Sequence, residues 1–565
     1  MVMAYSEFVE LYEELGGTTK RLEKTEILAK FLRNLERKGK SEWVYLLRGR
    51  VVPDYDSAEF GISTQLTIKA ISVTSGVSQE KVIGELRKIG DLGEVAEKFI
   101  GKKTQGTLFS KKLSTEKVFE NLKKVMIVEG RGSVDKKMGL ISELLGQASG
   151  KEAKYIVRTL LNDLRVGVAD GTMREGIVGA FFDEDKKEMS DLVESKYDLV
   201  NDLAVIFDTA KKGKKALEKL EIHPGKPIKV MLPVKVTDLE EAFRIVGLPC
   251  AIEHKYDGFR MVINKYENKI TLFTRKLENV TNQFPDVVEA VKKQVKGDSF
   301  ILDSEVVGWN PKTKKYMPFE AISQRIRRKY DIDRLIEKLP VEMNVFDVVY
   351  YNGESLMDMQ FKERRKVVEK IIKKKEWVIR PSFQIQTSDI AKAKKFYEDA
   401  LKSGEEGIMI KKLDAVYRQG RRVGYIVKMK PAVNDFDLVI TGAEYGTGKR
   451  GGLLTSYIVA CRDGDEFLDV GKVASGLKEI EQEGGTTYTE MTELLKPLIL
   501  EGEGNYVKVK PKIVVSVTYQ NMQKSPSYSS GFALRFPRIT SYRPDRNTKD
   551  ITTLKELEKE AKKGV

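Results

Sequence analysis

The chain has 565 residues, room for three or four domains at about 150 residues each, and carries 99 Lys plus Arg against 84 Asp plus Glu, a net charge of +15. An apolar fraction of 41% and a charged fraction of 32% exclude a disordered chain and fit a soluble globular one. Two cysteines, Cys250 and Cys461, and two histidines, His223 and His254, exclude a disulfide scaffold, a four-thiolate zinc site and a His-rich metal cluster. No run approaches about 18 apolar residues, so no transmembrane helix is expected. The opening residues carry no basic region followed by an apolar run, so no secretory signal is read and a cytoplasmic location is expected. The basic excess favours polyanionic partners, with plain solubility as the bland alternative.

Residues 1–222 read as an all-α region. Phe8, Leu11, Tyr12 and Leu15 recur at helical spacing, and the stretches from Lys24 and from Glu152 repeat the pattern. The segment His223-Pro224-Gly225-Lys226-Pro227 reads as a linker. From 223 to 433 the period changes. Met261 to Asn264 and Lys269 to Thr274 flank Glu267-Asn268 and read as a hairpin. Further strands are expected at Ser299 to Val307, Asn344 to Tyr351, Gly407 to Lys411 and Gly424 to Lys430, with helices at Asp286 to Val295 and Glu363 to Lys375. This alternation predicts an α+β domain. From 434 to 565 short strands separated by glycine-rich turns predict an all-β barrel of OB-fold size, ending in a short charged helix from Leu554 to Lys563.

The chemistry centres on Glu253-His-Lys255-Tyr-Asp257-Gly258-Phe-Arg260. Alone, Lys-x-Asp-Gly reads equally as a turn with a solvated lysine. Its chemical reading is a covalent lysine, and a free amine with a pKa of about 10.4 needs help to act as a nucleophile. A neighbouring cation such as Arg260, or a bound metal ion, would favour the neutral amine. Later segments turn the weak signal into a constellation. Arg275 closes the hairpin. Asp303 and Glu305 stand two apart on one strand face. Phe346, in an apolar strand, offers a ring for a base to stack on, or is simply core. Glu406 and Lys411 bracket a strand, and Lys428 and Lys430 share a face. Carboxylates there suit Mg²⁺ and lysines suit phosphate. Taken singly, Glu305 and Glu406 read as surface ion-pair partners.

In this order the motifs resemble those of the ATP-dependent DNA ligases, specifically the archaeal type. The matching segments are Lys255 to Arg260, Arg275 to Thr281, Asp303 to Glu305, Phe346 to Tyr350, Glu406 to Lys411, Lys428 to Lys430 and Arg535 to Arg538. The similarity spans nearly the whole chain, and its most specific stretch runs from Gln523 to Arg538. The resemblance implies a helical DNA-binding domain, an adenylation domain and a C-terminal OB-fold domain. It implies nick sealing in DNA replication, repair and recombination, with ATP and Mg²⁺ (or Mn²⁺) as cofactors and nicked duplex DNA as the partner, and a monomer is expected. By the same resemblance Lys255 carries AMP, and Glu253 and Phe346 recognise adenine. Arg260, Arg275 and Arg422 contact the nucleotide or nick phosphate, Glu305 and Glu406 serve ribose and metal, and Lys428 and Lys430 grip phosphate. Arg535 and Arg538 orient the departing pyrophosphate. The chain departs from the family pattern at Val230, Ile426, Ser541 and Arg546.

Two basic segments are candidate DNA contacts, Leu164 to Arg174 and Arg325 to Lys329, each with an ordinary helix face or loop as its alternative. Gln105, Leu108 and Phe109 resemble a sliding-clamp-binding motif. Rival readings are an RNA-capping guanylyltransferase or RNA ligase, and a basic DNA-binding protein with a defunct site. The four-cysteine module usual in NAD-dependent ligases cannot be built from Cys250 and Cys461.

Overall fold

The computed structural model describes residues 3–56, 58–102, 112–130, 132–183, 185–317, 319–327, 332–421, 424–431, 435–446, 450–479 and 486–561. They fall into two compact units, residues 1–430 and 431–565.

The first unit opens with helices from Tyr5–Gly16 to Lys214–Glu218, as the helical periodicity predicts. In the first helix Phe8, Leu11, Tyr12 and Leu15 are all buried, forming one stripe. Phe8 meets Phe31 edge-on at 4.8 Å and Tyr12 meets Tyr155 at the same separation, so the stripe docks on two later helices. Helix starts are fixed by polar caps. Ser149 and Glu152 form a reciprocal capping box, and Asp202 accepts from the N–H groups of Ala204 and Val205. The segment after these helices is anchored back to them. Asn201 donates to the Pro227 carbonyl at 3.0 Å, and Lys229 pairs with Asp198 at 2.7 Å.

Two sheets follow. One has the order Ile379–Pro381, Val341–Tyr351, Phe300–Asn310, Phe259–Tyr266, Lys269–Thr274, with two short strands off this path. The other runs Gln384–Thr387, Cys250–Lys255, Gly407–Lys412, Ile426–Met429, Val234–Val236. The expected hairpin is present. Glu267 and Asn268 both take positive φ, 46° and 63°, the two-residue turn whose twist matches its flanking strands. The helix expected to reach Lys375 is Phe361–Ile371 and stops earlier. There Ile372 bridges to Val295 and Lys373 donates to the Gln294 carbonyl, so sheet-like pairing ends the helix.

The second unit is strand-rich, as expected. Its main sheet is ordered Glu466–Val473, Leu454–Asp463, Phe436–Tyr445, Tyr506–Val509, Ile499–Glu503, and Val514–Thr518 joins Phe436–Tyr445 to Arg538–Tyr542. A helix at Leu554–Ala561 closes it. Cys250 and Cys461 are both buried free thiols, one in each unit. Among the described residues no helix is long and apolar enough to cross a membrane.

One expectation is corrected. Arg325, read from the sequence as part of a candidate DNA-contacting basic cluster with a solvated helix face as the alternative, is fully buried. Its guanidinium forms a fork with Asp286, donates to the Gln283 and Leu339 carbonyls, and lies 4.3 Å from the Phe284 ring centre. It ties its own helix to Pro285–Gln294. Removing one member of such a pair strands the other, so Arg325→Ala should cost about 3 kcal/mol, read as a lowered urea midpoint for the unit that contains it.

Candidate active site

Lys255 is the last residue of the strand Cys250–Lys255. Cys250 and Ile252 enter an apolar cluster on one face, and His254 packs on that side against Phe396 and Phe383 at 4.8 and 5.2 Å. Burial first, then the Arg380 charge, holds the His254 pKa down at about 4. Alternation therefore turns Glu253 and Lys255 to the opposite face. The turn that follows needs glycine. A Cβ on Gly258 would stand 2.4 Å from the Val306 carbonyl oxygen. Asp257 accepts a backbone hydrogen bond from Phe319 at 3.3 Å.

The neighbouring strand, Gly407–Lys412, runs antiparallel with Gly407 opposite Lys255 and Met409 opposite Glu253. Glu406 donates its N–H to the Lys255 carbonyl at 2.9 Å, which fixes the carboxylate beside the amine. Glu406 Oε2 contacts Lys255 Nζ directly and Lys430 Nζ at 2.5 Å. Burial opposes ionisation of Glu406, but the two ammonium groups outweigh it and hold its pKa below the usual carboxylate value. Lys428 lies opposite Met409 on the next strand. Burial, then the charges of Lys255, Lys430 and Arg275, push the Lys428 pKa down. Lys430 is lowered by burial and by Lys255. The sequence points to Arg260 as the cation that would neutralise Lys255. The structure gives Lys255 a carboxylate partner, Glu406, instead.

Arg260 is committed elsewhere. It forms a fork with Asp303 and donates to the Met231 carbonyl at 2.7 Å. Tyr417 donates to the same Asp303 at 2.8 Å. Asp303 and Glu305 thus share a face but differ in surroundings. Glu305 lies opposite Arg260 in the sheet. Burial raises its pKa to about 7, against the pull of Lys255 and Arg260.

On the other flank Glu253 is buried, with a partner on each carboxylate oxygen. Lys411 reaches one carboxylate oxygen at 2.7 Å and Gln384 donates to the other at 2.7 Å, with Arg365 at 3.7 Å. Lys411 Nζ lies 4.5 Å from the centre of the Phe346 ring, and the Arg260 guanidinium 5.3 Å from it. Phe346 is half-buried, so it is not closed into the core.

The structure therefore brings Glu253, Lys255, Arg260, Glu305, Phe346, Glu406, Lys428 and Lys430 to the two facing sheets of one unit. Arg275 is exposed at the end of the hairpin. Arg535 and Arg538 belong to the second unit, where the Arg535 guanidinium lies 5.1 Å from the Phe536 ring centre. Arg422 and the clamp-like residues Gln105, Leu108 and Phe109 lie outside the described residues. In the candidate DNA loop, Lys24 holds the Val166 carbonyl at 2.6 Å, Arg165 pairs with Asp163 and Asp91, and Arg174 pairs with Glu194. Sequence reasoning missed Gln384, Tyr417 and Glu405. None sits at a motif position of the kind that flagged the others. Glu405 is buried next to Glu406, and burial followed by the Asp257 charge raises its pKa to about 8.

A primary amine at a strand end, between carboxylates and a bank of cations, suits attack on the phosphorus of a polyanion. Comparison with known proteins gives the family. Residues 4–178 match the model for the DNA ligase N terminus, 230–430 that for the ATP-dependent DNA ligase domain, and 450–546 that for its C-terminal region. The chain is 44% identical over 556 residues to a DNA ligase of Nanoarchaeum equitans, covering 98% of this chain and 97% of that one. It is 40% identical over 558 residues to a DNA ligase of Thermococcus fumicolans, covering 98% of each. A solved structure titled Pmar-Lig_PreS3 aligns with TM-score 0.56 at 18% identity, covering 95% of this chain and 99% of that one, a likeness of fold.

Gly407 carries the closest packing of the site. Its φ is 143°, and a Cβ there would meet the Met429 carbonyl oxygen at 2.2 Å. Gly404 also has positive φ, 85°, but open space around it. Gly407→Ala should therefore cost about 2–4 kcal/mol and Gly404→Ala about 1 kcal/mol, a contrast that thermal melting of the two variants checks.

Proposed function

The chain belongs to the archaeal-type ATP-dependent DNA ligases, which seal nicks in duplex DNA, and from that premise we propose that Lys255 is the residue that carries AMP. The observation that carries this reading is the ion pair of Lys255 with a Glu406 that Lys430 also contacts. In the first step the unprotonated Lys255 amine attacks the α-phosphorus of ATP. An N–P bond forms, the bond to the β-phosphate oxygen breaks, and pyrophosphate leaves. In the second step a 5′-phosphate oxygen at the nick attacks the AMP phosphorus and releases the lysine. In the third the 3′-hydroxyl attacks the activated 5′-phosphorus and AMP departs. Each displacement needs in-line geometry and neutralised charge.

Lys255 must shed its proton before attack, and Glu406 is the carboxylate in contact with that amine. Lys430 keeps a cation on Glu406 when the Lys255 contact opens. Lys428 and Arg275 are assigned to nucleotide or nick phosphates. Glu253 is assigned to the adenine edge and Phe346 to its ring face. Arg260 is assigned to the nucleotide side through its position over Phe346. Arg422, Arg535 and Arg538 are assigned to phosphate contacts on the strength of the family motif.

For the metal, Asp303 is already committed to Arg260 and Tyr417, which leaves Glu305 and Glu406 as oxygen donors near the amine. Two carboxylates beside substrate phosphates fit Mg²⁺, with Mn²⁺ as a substitute. Bound there, the cation supplies charge neutralisation at phosphate oxygens.

We assign residues 1–222 to DNA binding, 223–433 to adenylation and 434–565 to an OB-fold domain, with the protein working as a monomer on cytoplasmic DNA. Lys255→Ala should abolish the labelled protein band formed with ATP labelled in its α-phosphate, and a band from the variant would count against the assignment. The segment with Gln105, Leu108 and Phe109 is assigned to a sliding clamp. In a pull-down, Phe109→Ala should lose clamp capture; undiminished capture would remove this partner.

A further inference from the structure

Resting on the reading of Glu253 as the adenine-edge residue, we infer that Gln384 is a specificity-determining residue that reads the exocyclic amine of the base. Gln384 opens the strand Gln384–Thr387 and stands directly opposite Glu253 in the antiparallel register. Glu253 is opposite Met409, and Met409 is opposite Lys428. Residues paired directly across a sheet share a face, so Gln384, Glu253, Met409 and Lys428 form one row on the face that carries Lys255.

The chemistry of the row fixes which end of the amide is offered to a ligand. Gln384 Nε2 donates to Glu253 Oε1 at 2.7 Å. A flipped amide would set its carbonyl oxygen against a carboxylate oxygen, which is repulsive, so the orientation is enforced by charge rather than by packing. Glu253 cannot swing away to relax this constraint, because Lys411 holds its other oxygen at 2.7 Å and Arg365 lies 3.7 Å from the first. With one N–H of its NH₂ group committed to Glu253, the amide is fixed so that its carbonyl acceptor is offered to a ligand. A 6-aminopurine carries two amine hydrogens there. It meets the Glu253 carboxylate with one and the Gln384 carbonyl with the other. A 6-oxopurine presents an acceptor to two acceptors and is rejected. Gln384 is therefore the second half of the base-reading pair, and Glu253 is what orients it.

The test uses the full chain and two nucleotides, ATP and purine riboside 5′-triphosphate, which lacks only the 6-amino group. Initial rates of nucleotide attachment are read by intact-protein mass across nucleotide concentrations. The native protein should prefer ATP. Gln384→Met should reduce that preference about tenfold, the size of one hydrogen bond, with the loss falling in the KM for ATP. Gln384→Asn keeps the amide but is one methylene short of the span, and should lose preference in the same direction. Two folded variants that keep the native preference, while Glu253→Gln lowers it, would overturn the role of Gln384 and leave that of Glu253 standing. A native protein that charges equally with both nucleotides would remove the amine-reading role from both residues.

Discussion

The site depends on one carboxylate held between two ammonium groups. An exposed lysine–glutamate pair in water is worth little. Here Glu406 is largely removed from solvent, so the attraction is less screened and its geometry is not left to side-chain chance. The main chain sets it, through the Glu406 N–H on the Lys255 carbonyl and the close strand approach that only a glycine at 407 permits. Because Lys430 shares the same oxygen, Glu406 keeps a partner when Lys255 is drawn toward phosphorus. The proposed nucleophile is thus restrained by a contact that can open without stranding a buried charge.

The same economy separates the other acidic groups. Asp303 and Glu305 lie two residues apart on one strand, yet Asp303 is neutralised by Arg260 and hydrogen-bonded by Tyr417, whereas among the described residues Glu305 has no such fork and is raised to about 7 by burial. Glu253 is engaged by Lys411 and Gln384. Partner choice, rather than residue type, decides which carboxylate builds structure and which remains responsive to a ligand.

Much of this was legible in the sequence. The sequence pattern places a strand at Gly407 to Lys411, found at Gly407–Lys412, but the strand Cys250–Lys255 that sets Glu253 and Lys255 on one face emerges only in the structure. The strand patterns on either side of Glu267-Asn268 predict the hairpin, and both residues take positive φ there, which asparagine adopts more readily than glutamate. What escaped was partnership at a distance. Arg325 looks like one of several cations on a helix that meet DNA or solvent, and nothing local shows that Asp286, 39 residues earlier, takes it into the core. Arg260 sits near Lys255 in sequence and so suggests an influence on the amine, but its actual partner is 43 residues on. Gln384 lies outside every motif and becomes visible only through the strand register that sets it against Glu253. Motifs record the residues assigned to the substrate. They do not record the residues that orient them.

The two buried thiols have a practical side. Cys250 lies on the apolar side of the lysine strand, and Cys461 lies in the core of the C-terminal unit. Burial pushes the first thiol up to about 11 and the second to about 12. At neutral pH neither presents a thiolate, the form that alkylating reagents and oxidants attack. A fluorophore or spin label introduced through a new surface cysteine would therefore report from the chosen position, with no need to strip the native cysteines from either unit.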